Sequence, residues 1–250
     1  MKVAFCLYGL SGGYSERLNK RNNHTIQIME KSYESYKKNI LEVNKDVCFD
    51  IYFHTRKHKN INKIIEMYKP KKYIVDDKNI LKDYDYHPKG AEKLKWNIAL
   101  FSRYDSTFKV LNLVEGDYDY IFLCRFDLTF LKPLYFKDLK IKKNNIYFPN
   151  QSHMLYRGAY LSGSVYARNP SRYNNLEWKQ NNKNEYLNEW WFIFHPDLKE
   201  YVMDMEKVHS SNLNINIHHF FAQYFSKKYE IVLSSIKYYD TPLTRDVLKK

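Results

Sequence analysis

Apolar and polar positions in the first half of the chain follow two alternating periods, one typical of strands and one of helices. Val3 to Tyr8 is a short apolar run, and Val47 to Phe53 alternates with a period of two, so both segments predict strands. Between them, from Thr25 to Leu41, apolar side chains recur at the spacing of one helix face. The chain is therefore predicted to begin with a strand, a helix and a second strand.

The same alternation continues as far as residue 124. The pattern predicts a short helix from Asn60 to Tyr68, a strand from Lys72 to Val75, a long helix from Ala91 to Val114 and a buried strand from Tyr120 to Cys124. Strands that alternate with helices form a mostly parallel sheet covered by those helices. The predicted fold class is therefore α/β, with a mostly parallel central sheet flanked by helices.

The second half of the chain is less regular. The pattern predicts strands at Ile146 to Phe148, Tyr160 to Ala167 and Glu230 to Ser234, and helices at Leu198 to Val208 and Ile215 to Lys228. No internal repeat and no Gly/Ser-rich linker marks a domain boundary. We therefore predict one domain over residues 1–250 with an elaborated second half, a length that suffices for one substantial core.

The chain is strongly basic. Its formal net charge is +13 and its isoelectric point is near 9.3, so nucleic acid, an acidic membrane surface and nucleotide-activated substrates are all candidate partners. The alternative is that most of these charged side chains are simply solvated at the protein surface and bind no partner. The charges are spread along the chain without an RRM, OB or helix-turn-helix signature, so a basic nucleic-acid-binding module is the weaker interpretation.

Cys6, Cys48 and Cys124 lie in apolar runs and are far apart in the sequence. They form no CxxC pair and no metal-ligand spacing, so we expect three buried, reduced thiols, which favours a cytoplasmic compartment. The opening apolar run is too short for a signal-peptide core with a cleavage site, and no segment approaches the length that spans a bilayer. We expect a cytoplasmic protein, or one peripheral to the inner membrane face.

The most informative segment runs from Tyr118 to Leu134. Its apolar strand ends directly in Arg125, Phe126 and Asp127. In an extended chain Arg125 and Asp127 point the same way, and open α/β sheets bind their ligands at the carboxyl ends of buried strands. A guanidinium beside a carboxylate suits a metal-bound or bare phosphate ester. The alternative is a structural ion pair between the two side chains.

Two further segments follow predicted strands at the same sheet edge. Gly9 to Gly13 fits neither GxGxxG nor a Walker A sequence, so it is either a flexible turn or a turn whose amides contact a nucleotide. The candidate nucleotide-binding residues here are Tyr8, Gly9, Ser11 and Gly12. At the end of the second strand, a histidine, a hydroxyl and an arginine offer further groups that bind a nucleotide, namely His54, Thr55 and Arg56.

The second half contributes two candidates. Glu189 precedes the aromatic run Trp190 to Phe192, which suits a sugar acceptor with the carboxylate as general base, although the aromatics equally suit core packing. His218 and His219 lie on a predicted helix, where one of them must face inward as a core histidine, a metal ligand or a phosphate contact. No HExxH, GxSxG or Ser/His/Asp order supports a zincin or a hydrolase triad.

Several segments together resemble a family of small bacterial and viral glycosyltransferases with a GT-A-like fold, which carry an RxD motif where many relatives have DxD. The family's pattern begins with a strand and a small-residue turn, here VAFCLYGLSGG, and continues with a strand ending in a DxFxHTW-like sequence, here Asp50 to Thr55. It then runs through YKPKKYIVDD and, after a long helix, the segment Asp117 to Phe130. The resemblance covers residues 2–135 well and the rest loosely.

This resemblance implies a glycosyltransferase that uses a nucleotide-sugar donor. Residues 1–135 would bind the donor and residues 136–250 the acceptor. Asp127 would contact the donor diphosphate, its metal or the donor sugar, with Arg125 offsetting its charge, and Glu189 would be the catalytic base of an inverting reaction. The acceptor implied is a surface glycan, such as capsule, lipooligosaccharide or a glycoprotein glycan.

The chain departs from the family's pattern at two places. The tryptophan that usually follows His-Thr is Arg56 here, and a glutamate of the late helix corresponds to His218 or His219. Asp127 with His219 could hold Mn²⁺ or Mg²⁺ against the diphosphate, or Arg125 and the many lysines could neutralise it without a metal. A basic face on anionic lipid would help the protein reach a lipid-linked acceptor. The alternative function is a non-glycosyl transferase that modifies the same glycan by phospho-group transfer.

Overall fold

The structure is a computed structural model that describes residues 1–9, 11, 25–77, 91–139, 142–150, 190–205, 221, 224–225, 227–237 and 240–241. The strands are β1 (Lys2–Tyr8), β2 (Cys48–Arg56), β3 (Lys72–Asp76), β4 (Tyr120–Arg125), β5 (Asn145–Asn150), β6 (Trp191–Phe194) and β7 (Glu230–Lys237). The helices are α1 (Thr25–Tyr36), α2 (Ile61–Tyr68), α3 (Ala91–Asn112) and α4 (Lys199–Met203). A π-helical turn at Lys37–Leu41 and 3₁₀ turns at Phe136–Asp138 and Pro196–Leu198 complete the described elements.

These strands form one sheet of order β3-β2-β1-β4-β6-β5-β7. β1 pairs in parallel with β2 and β4, β2 pairs in parallel with β3, and β5 pairs in parallel with β7. Among the described strands only β6 runs the opposite way, because it is antiparallel to both β4 and β5. The prediction of an α/β fold with a mostly parallel sheet is therefore confirmed.

Alternate residues of the central strands pack into two separate cores. Ala4 and Cys6 of β1 belong to a core that includes Leu111 of α3. Phe5, which lies between them, faces the other way and packs with Tyr36 of α1, the two ring centroids being 5.8 Å apart. α3 therefore covers one face of the sheet and α1 covers the other, as right-handed crossovers on the two sides of β1 require.

The direction in which strands are added reverses at β1. The chain moves outward from β1 to β2 and β3, and then forms β4 on the other side of β1. Open α/β sheets bind their ligands at such a switch point, outside the carboxyl ends of the strands. The ends of β1 and β4 are neighbours here, since Tyr8 is in register with Arg125 and its carbonyl oxygen accepts a hydrogen bond from the N–H of Phe126 at 3.2 Å.

Most predicted elements are confirmed, with three differences. The helix predicted from Thr25 to Leu41 is α-helical only to Tyr36 and then continues as a π-helical turn. β6 was not predicted, because it is only four residues long and buried throughout, so it shows no polar alternation. The predicted strand Tyr160 to Ala167 and most of the predicted helix Ile215 to Lys228 lie outside the described residues. The predicted helix Leu198 to Val208 is described as the end of a 3₁₀ turn followed by α4, which ends at Met203. No helix in the described ranges is long and apolar enough to cross a membrane.

The expectation for the cysteines is correct at two of the three positions. Cys6 and Cys124 are free and buried, and burial raises the pKa of both thiols well above the usual value, so they stay protonated. Cys48 is also free but exposed, so the prediction that it is buried is wrong. Its position explains this, because it is the first residue of β2, at the amino-terminal edge of the sheet.

Candidate functional site

The carboxyl ends of β1, β2, β3 and β4 meet at one edge of the sheet, because the four strands are parallel; we call this the ligand edge. Tyr8 at the end of β1 is in register with His54 of β2 and with Arg125 of β4. Arg56 at the end of β2 is in register with Asp76 of β3. The ligand edge brings together eight of the predicted site residues, namely Tyr8, Gly9, Ser11, His54, Thr55, Arg56, Arg125 and Asp127.

Arg125 and Asp127 form a bidentate ion pair at this edge. The Nε of Arg125 donates to Oδ1 of Asp127 at 2.8 Å, and its Nη2 donates to Oδ2 at 2.8 Å. The Arg125 side chain is 17% exposed and the Asp127 side chain 8%, so the pair is largely withdrawn from water. The two side chains lie together as the sequence predicted, and the ion-pair alternative describes their contact.

The turn directly after β4 is anchored by α1 and the π-helical turn that follows it. Tyr36 is fully buried, and its hydroxyl donates to the carbonyl oxygen of Arg125 at 2.5 Å and accepts from the N–H of Leu128 at 3.2 Å. Asn39 Nδ2 donates to the carbonyl oxygen of Phe130 at 2.6 Å. These contacts fix the backbone on both sides of the carboxylate that Arg125 binds.

A chain of hydrogen bonds ties Gly9 to β2, β3 and α3. The N–H of Gly9 donates to Oγ of Ser106 at 2.8 Å, and this oxygen lies 2.5 Å from Nδ1 of His54. The Nε2 of His54 lies 2.9 Å from Oδ2 of Asp76. Because a carboxylate can only accept, we assign the proton to Nε2, which leaves Nδ1 to accept from the Ser106 hydroxyl. His54 thus acts on Gly9 through Ser106.

His54 is held in its neutral form. Burial lowers the pKa of His54 below its usual value, and the neighbouring Asp76 carboxylate opposes this only in part. His58 is half-buried, and burial lowers its pKa as well. In the neutral imidazole Nδ1 is free of a proton and can accept the hydrogen bond from the Ser106 hydroxyl.

We expect the free energy of unfolding to fall between pH 7 and pH 5. His54 and His58 titrate near 6.5 in the unfolded chain and lower in the folded protein, so below about pH 6.5 the unfolded chain binds more protons. Their contribution to stability is therefore present above that pH and lost as the pH falls. Urea unfolding at pH 7, 6 and 5 measures this effect, and a free energy that stays constant or rises toward pH 5 contradicts it.

Ser11 is held within the protein in a similar way. Its N–H donates to Oγ1 of Thr55 at 3.1 Å, and the Thr55 hydroxyl donates to Ser11 Oγ at 2.9 Å. Ser11 Oγ also lies 2.8 Å from Nε2 of His58. The backbone N–H groups of Gly9 and Ser11 are therefore both bound by side chains, so we assign these two residues to shaping the turn. Gly12 lies outside the described residues.

One cluster among the described residues has the composition of a metal site. His54, Asp76 and Asp105 each offer an atom, and these atoms lie within 4.8 Å of one another. However, Nζ of Lys109 lies 2.7 Å from Oδ2 of Asp76 and 2.9 Å from Oδ2 of Asp105, the second contact being ionic without hydrogen-bond geometry. Burial raises the pKa of Asp76, but hydrogen bonds from Lys109 and His54 outweigh it, so the pKa lies below its usual value. A metal ion here would have to displace the Lys109 ammonium.

Sequence reasoning missed the contribution of α3 to the ligand edge. Ser102 Oγ accepts a hydrogen bond from Nη2 of Arg56 at 2.6 Å, while Ser106 and Lys109 bind His54 and Asp76 respectively. The spacing of Ser102, Ser106 and Lys109 places them on one face of a helix, which was the available signal. Their partners could not be identified from that signal, because the contacts depend on which strands α3 crosses.

The structure describes only some of the site residues that were predicted in the second half of the chain. Glu189 and His219 lie outside the described residues. Trp190 lies at the ligand edge, since its carbonyl oxygen accepts from the N–H of Arg125 at 3.0 Å. The aromatic side chains that follow in β6, beginning with Trp191, are buried, so the core-packing alternative describes them.

No protein-family model and no curated protein matches the sequence. Among solved structures, the 4-diphosphocytidyl-2C-methyl-D-erythritol synthase of Anaerococcus prevotii matches with a TM-score of 0.50 at 13% identity, over 100% of this chain and 93% of that one. The galactosyltransferase LgtC, solved with donor and acceptor sugar analogs, matches with a TM-score of 0.49 at 11% identity, over 94% and 73% of the two chains. Mouse xyloside xylosyltransferase 1 matches with a TM-score of 0.44 at 9% identity, over 90% and 80%.

At these identities the similarity concerns the fold. The match to the synthase covers nearly the whole length of both chains. The chain is an α/β protein with a GT-A-like fold.

Proposed function

We propose that the chain is a glycosyltransferase that moves a sugar from a nucleotide-sugar donor to a glycan acceptor. The observation that carries this proposal is the position of the Arg125–Asp127 pair, outside the carboxyl end of β4 and beside the turn after β1. Sheets of this kind bind ligands at that switch point. An oriented, largely buried carboxylate at such a position is typical of a functional site. The resemblance of residues 2–135 to RxD glycosyltransferases supports the same function.

The donor would bind along the ligand edge. The residues that we propose to form the donor site are Tyr8, Gly9, Ser11, Gly12, His54, Thr55, Arg56 and Arg125. Within this site Gly9, Ser11 and His54 shape the turn after β1 rather than touch the donor. Asp127, oriented by Arg125, would contact the donor sugar or its diphosphate as the catalytic carboxylate. Glu189 would take the proton of the acceptor hydroxyl if the reaction inverts the anomeric centre.

The acceptor that we propose is a surface glycan such as capsule, lipooligosaccharide or a glycoprotein glycan, which residues 136–250 would bind. The net charge of +13 would favour a cytoplasmic protein that touches the anionic inner membrane face and reaches a lipid-linked acceptor there. Sedimentation with anionic vesicles at low and high salt measures that contact.

A second candidate function is phospho-group transfer to the same acceptor. The similarity of the fold to a synthase of a diphosphocytidyl compound supports this candidate function. Both functions place a nucleotide at the ligand edge, so they differ in which bond of the donor breaks and not in where the donor binds.

A thermal-shift screen tests the proposed donor class. UDP-, GDP-, CMP- and dTDP-sugars are added one at a time, each with and without Mn²⁺. A donor present at 100 times its Kd stabilises the native protein by about 2.7 kcal/mol, so at least one sugar nucleotide is expected to raise the Tm clearly. A Tm that no sugar nucleotide changes under either condition contradicts the proposal.

We expect Gly9→Ala to lower the free energy of unfolding by about 1–2 kcal/mol and to weaken binding of the donor identified in that screen. Gly9 has a φ of +93°, which an L side chain rarely adopts. Among the described residues beyond its chain neighbours, a Cβ there would meet no atom within 4 Å, so the cost that the structure describes comes from the backbone. A changed backbone there would also disturb the hydrogen bond from the N–H of residue 9 to Oγ of Ser106.

Gly116 provides a matched control for Gly9. It has a φ of +98°, a Cβ there would also meet no atom within 4 Å, and it lies in the turn before β4, at the opposite edge of the sheet. Gly116→Ala is expected to cost the same stability in urea unfolding but to leave donor affinity unchanged. Equal losses of affinity in the two variants would show that Gly9 has no particular role in binding.

A further inference from the structure

Most charged groups that the structure describes at the ligand edge cancel one another. Three groups of opposite charges are in contact, namely Arg125 with Asp127, Lys109 with Asp76 and Asp105, and Lys57 with Asp77. The first and third groups are neutral, and the second carries one excess negative charge because one ammonium faces two carboxylates. These groups therefore offer no net positive charge to an anionic ligand.

Arg56 is different from these cations. It ends β2 at the ligand edge and is half-buried, and its Nη2 donates to the neutral hydroxyl of Ser102 at 2.6 Å. Within the described ranges, no carboxylate lies within ion-pair distance of its guanidinium. Since arginine is always protonated, this guanidinium brings one uncompensated positive charge to the edge.

Arg56 lies on the same face of the sheet as Arg125. Side chains alternate along a strand, and His54, two residues before Arg56, contacts Ser106 of α3. Leu123, two residues before Arg125, belongs to the core beneath α3. Both arginines are therefore on the α3 side, on either side of β1. Arg125 is level with His54, two residues before Arg56, so two strand spacings and two residues of rise place their backbones roughly 12 Å apart. An anion bound over the end of β1 would lie between them.

A divalent ion on Asp127 does not fit the described pair. Mn²⁺ or Mg²⁺ would bind the carboxylate oxygens directly, and both oxygens of Asp127 accept hydrogen bonds from Arg125 at 2.8 Å. The guanidinium occupies the side of the carboxylate where a bidentate cation would bind. The other candidate cluster likewise already contains the Lys109 ammonium.

We propose that Arg56 supplies the positive charge that the donor diphosphate meets, and that donor binding requires no divalent ion on Asp127. This inference rests on the proposed function, since it names the charge partner of the same donor. Arginine can donate two parallel hydrogen bonds to phosphate oxygens, which a lysine cannot do. The residue is also a departure of this chain from the family's pattern, which has tryptophan at that position.

The same contact would assist transfer itself. In glycosyl transfer the bond between the anomeric carbon and the phosphate oxygen breaks, and its electron pair stays on the departing nucleoside diphosphate. The acceptor oxygen forms the new bond to the anomeric carbon, and its proton goes to the general base. A guanidinium at the diphosphate stabilises the negative charge that develops on the leaving group.

Isothermal titration in EDTA tests the inference. UDP, GDP and dTDP are titrated, and the tightest of the three is then used as the probe, with its nucleoside as the uncharged comparison. Wild type is expected to bind the probe in EDTA, and Arg56→Gln is expected to weaken that binding about tenfold while binding of the nucleoside is unchanged. Arg56→Lys keeps the charge and is expected to bind more tightly than Arg56→Gln.

Lys57→Gln is the matched control. It removes the neighbouring positive charge, which Asp77 already pairs at 2.6 Å, and is expected to bind the probe like wild type. Equal losses of affinity for the probe in Arg56→Gln and Lys57→Gln would overturn the inference. Binding that appears only with Mn²⁺ and disappears in Asp127→Asn would also overturn it while leaving the proposed function intact. If no nucleoside diphosphate binds, with or without Mn²⁺, the inference is contradicted, and the proposed function is contradicted as well if no sugar nucleotide, CMP-sugars included, raises the Tm.

Discussion

Replacing Asp127 with alanine is expected to reduce sugar transfer by about 10³-fold or more and to lower the free energy of unfolding by about 3 kcal/mol. The first effect follows from the proposed role of this carboxylate at the donor. The second follows from the ion pair, because both donors of Arg125 lose their acceptor where that side chain is only 17% exposed. Transfer assays with the identified donor and urea unfolding measure the two effects separately.

The variant that removes both partners distinguishes a structural pair from a catalytic carboxylate. Arg125→Ala combined with Asp127→Ala removes both charges of the pair together, so its loss of stability is expected to be smaller than the sum of the two single losses. Transfer should nevertheless stay abolished in the double variant. A double variant that recovers transfer would show that Asp127 only pairs with Arg125 and has no catalytic role. Strictly additive losses of stability would show that the two side chains do not interact.

Tyr36→Phe is expected to lower the free energy of unfolding by about 2 kcal/mol and to reduce transfer roughly tenfold. Tyr36 is fully buried. Its hydroxyl donates to the carbonyl oxygen of Arg125 and accepts hydrogen bonds from the N–H of Leu128 and the thiol of Cys124. Burial raises the pKa of Tyr36 well above its usual value, so the hydroxyl keeps the proton that it donates to Arg125. Removing it leaves buried backbone groups without partners on both sides of Asp127.

Tyr68→Phe is the matched control for Tyr36→Phe. The ring of Tyr68 lies 6.5 Å from that of Tyr36, and its hydroxyl is buried without a hydrogen-bond partner in the part of the chain that the structure describes. Removing this hydroxyl deletes an unsatisfied polar atom, so stability is expected to stay constant or to rise by about 1 kcal/mol. A larger loss in Tyr68→Phe than in Tyr36→Phe would contradict the anchoring of the turn after β4.

The predictions that succeeded rest on short-range patterns. The alternation of strand and helix periods through Tyr120 to Cys124 requires crossover connections, and these predict parallel strands whose carboxyl ends share one edge. The placement of His54 near Gly9 follows from that geometry. The contact between Arg125 and Asp127 follows from their separation of two residues in the sequence. Each of these inferences needs only local spacing and the handedness of the connection.

The features that could not be predicted depend on contacts between distant segments. Helical spacing places Tyr36 on the buried face of α1, but its partner at Arg125 lies 89 residues away. β6 joins β4 in antiparallel orientation although 65 residues separate the two strands in the chain. The pairing of Lys109 with Asp76 likewise depends on α3 crossing β3. Periodicity carries no information about such pairings.

The net charge of +13 illustrates the same limit for electrostatics. It predicts attraction to anions, but it does not show where on the surface a positive charge remains. At the ligand edge most described cations face a carboxylate, and the chain's overall charge therefore does not describe its site. The contact of Arg56 with a neutral serine identifies that residue as an uncompensated cation among the described residues of this edge.

Phosphorus NMR of the donor identified by thermal shift, incubated with the protein, separates glycosyl transfer from phospho-group transfer without knowledge of the acceptor. Water replaces the glycan slowly. With a UDP-, GDP- or dTDP-sugar, cleavage at the anomeric carbon releases a nucleoside diphosphate and free sugar, whereas cleavage within the diphosphate releases a nucleoside monophosphate and a sugar phosphate. We predict that wild type releases the nucleoside diphosphate and that Asp127→Ala releases none. Release of the nucleoside monophosphate, or equal release by Asp127→Ala, would contradict a glycosyltransferase that acts through Asp127.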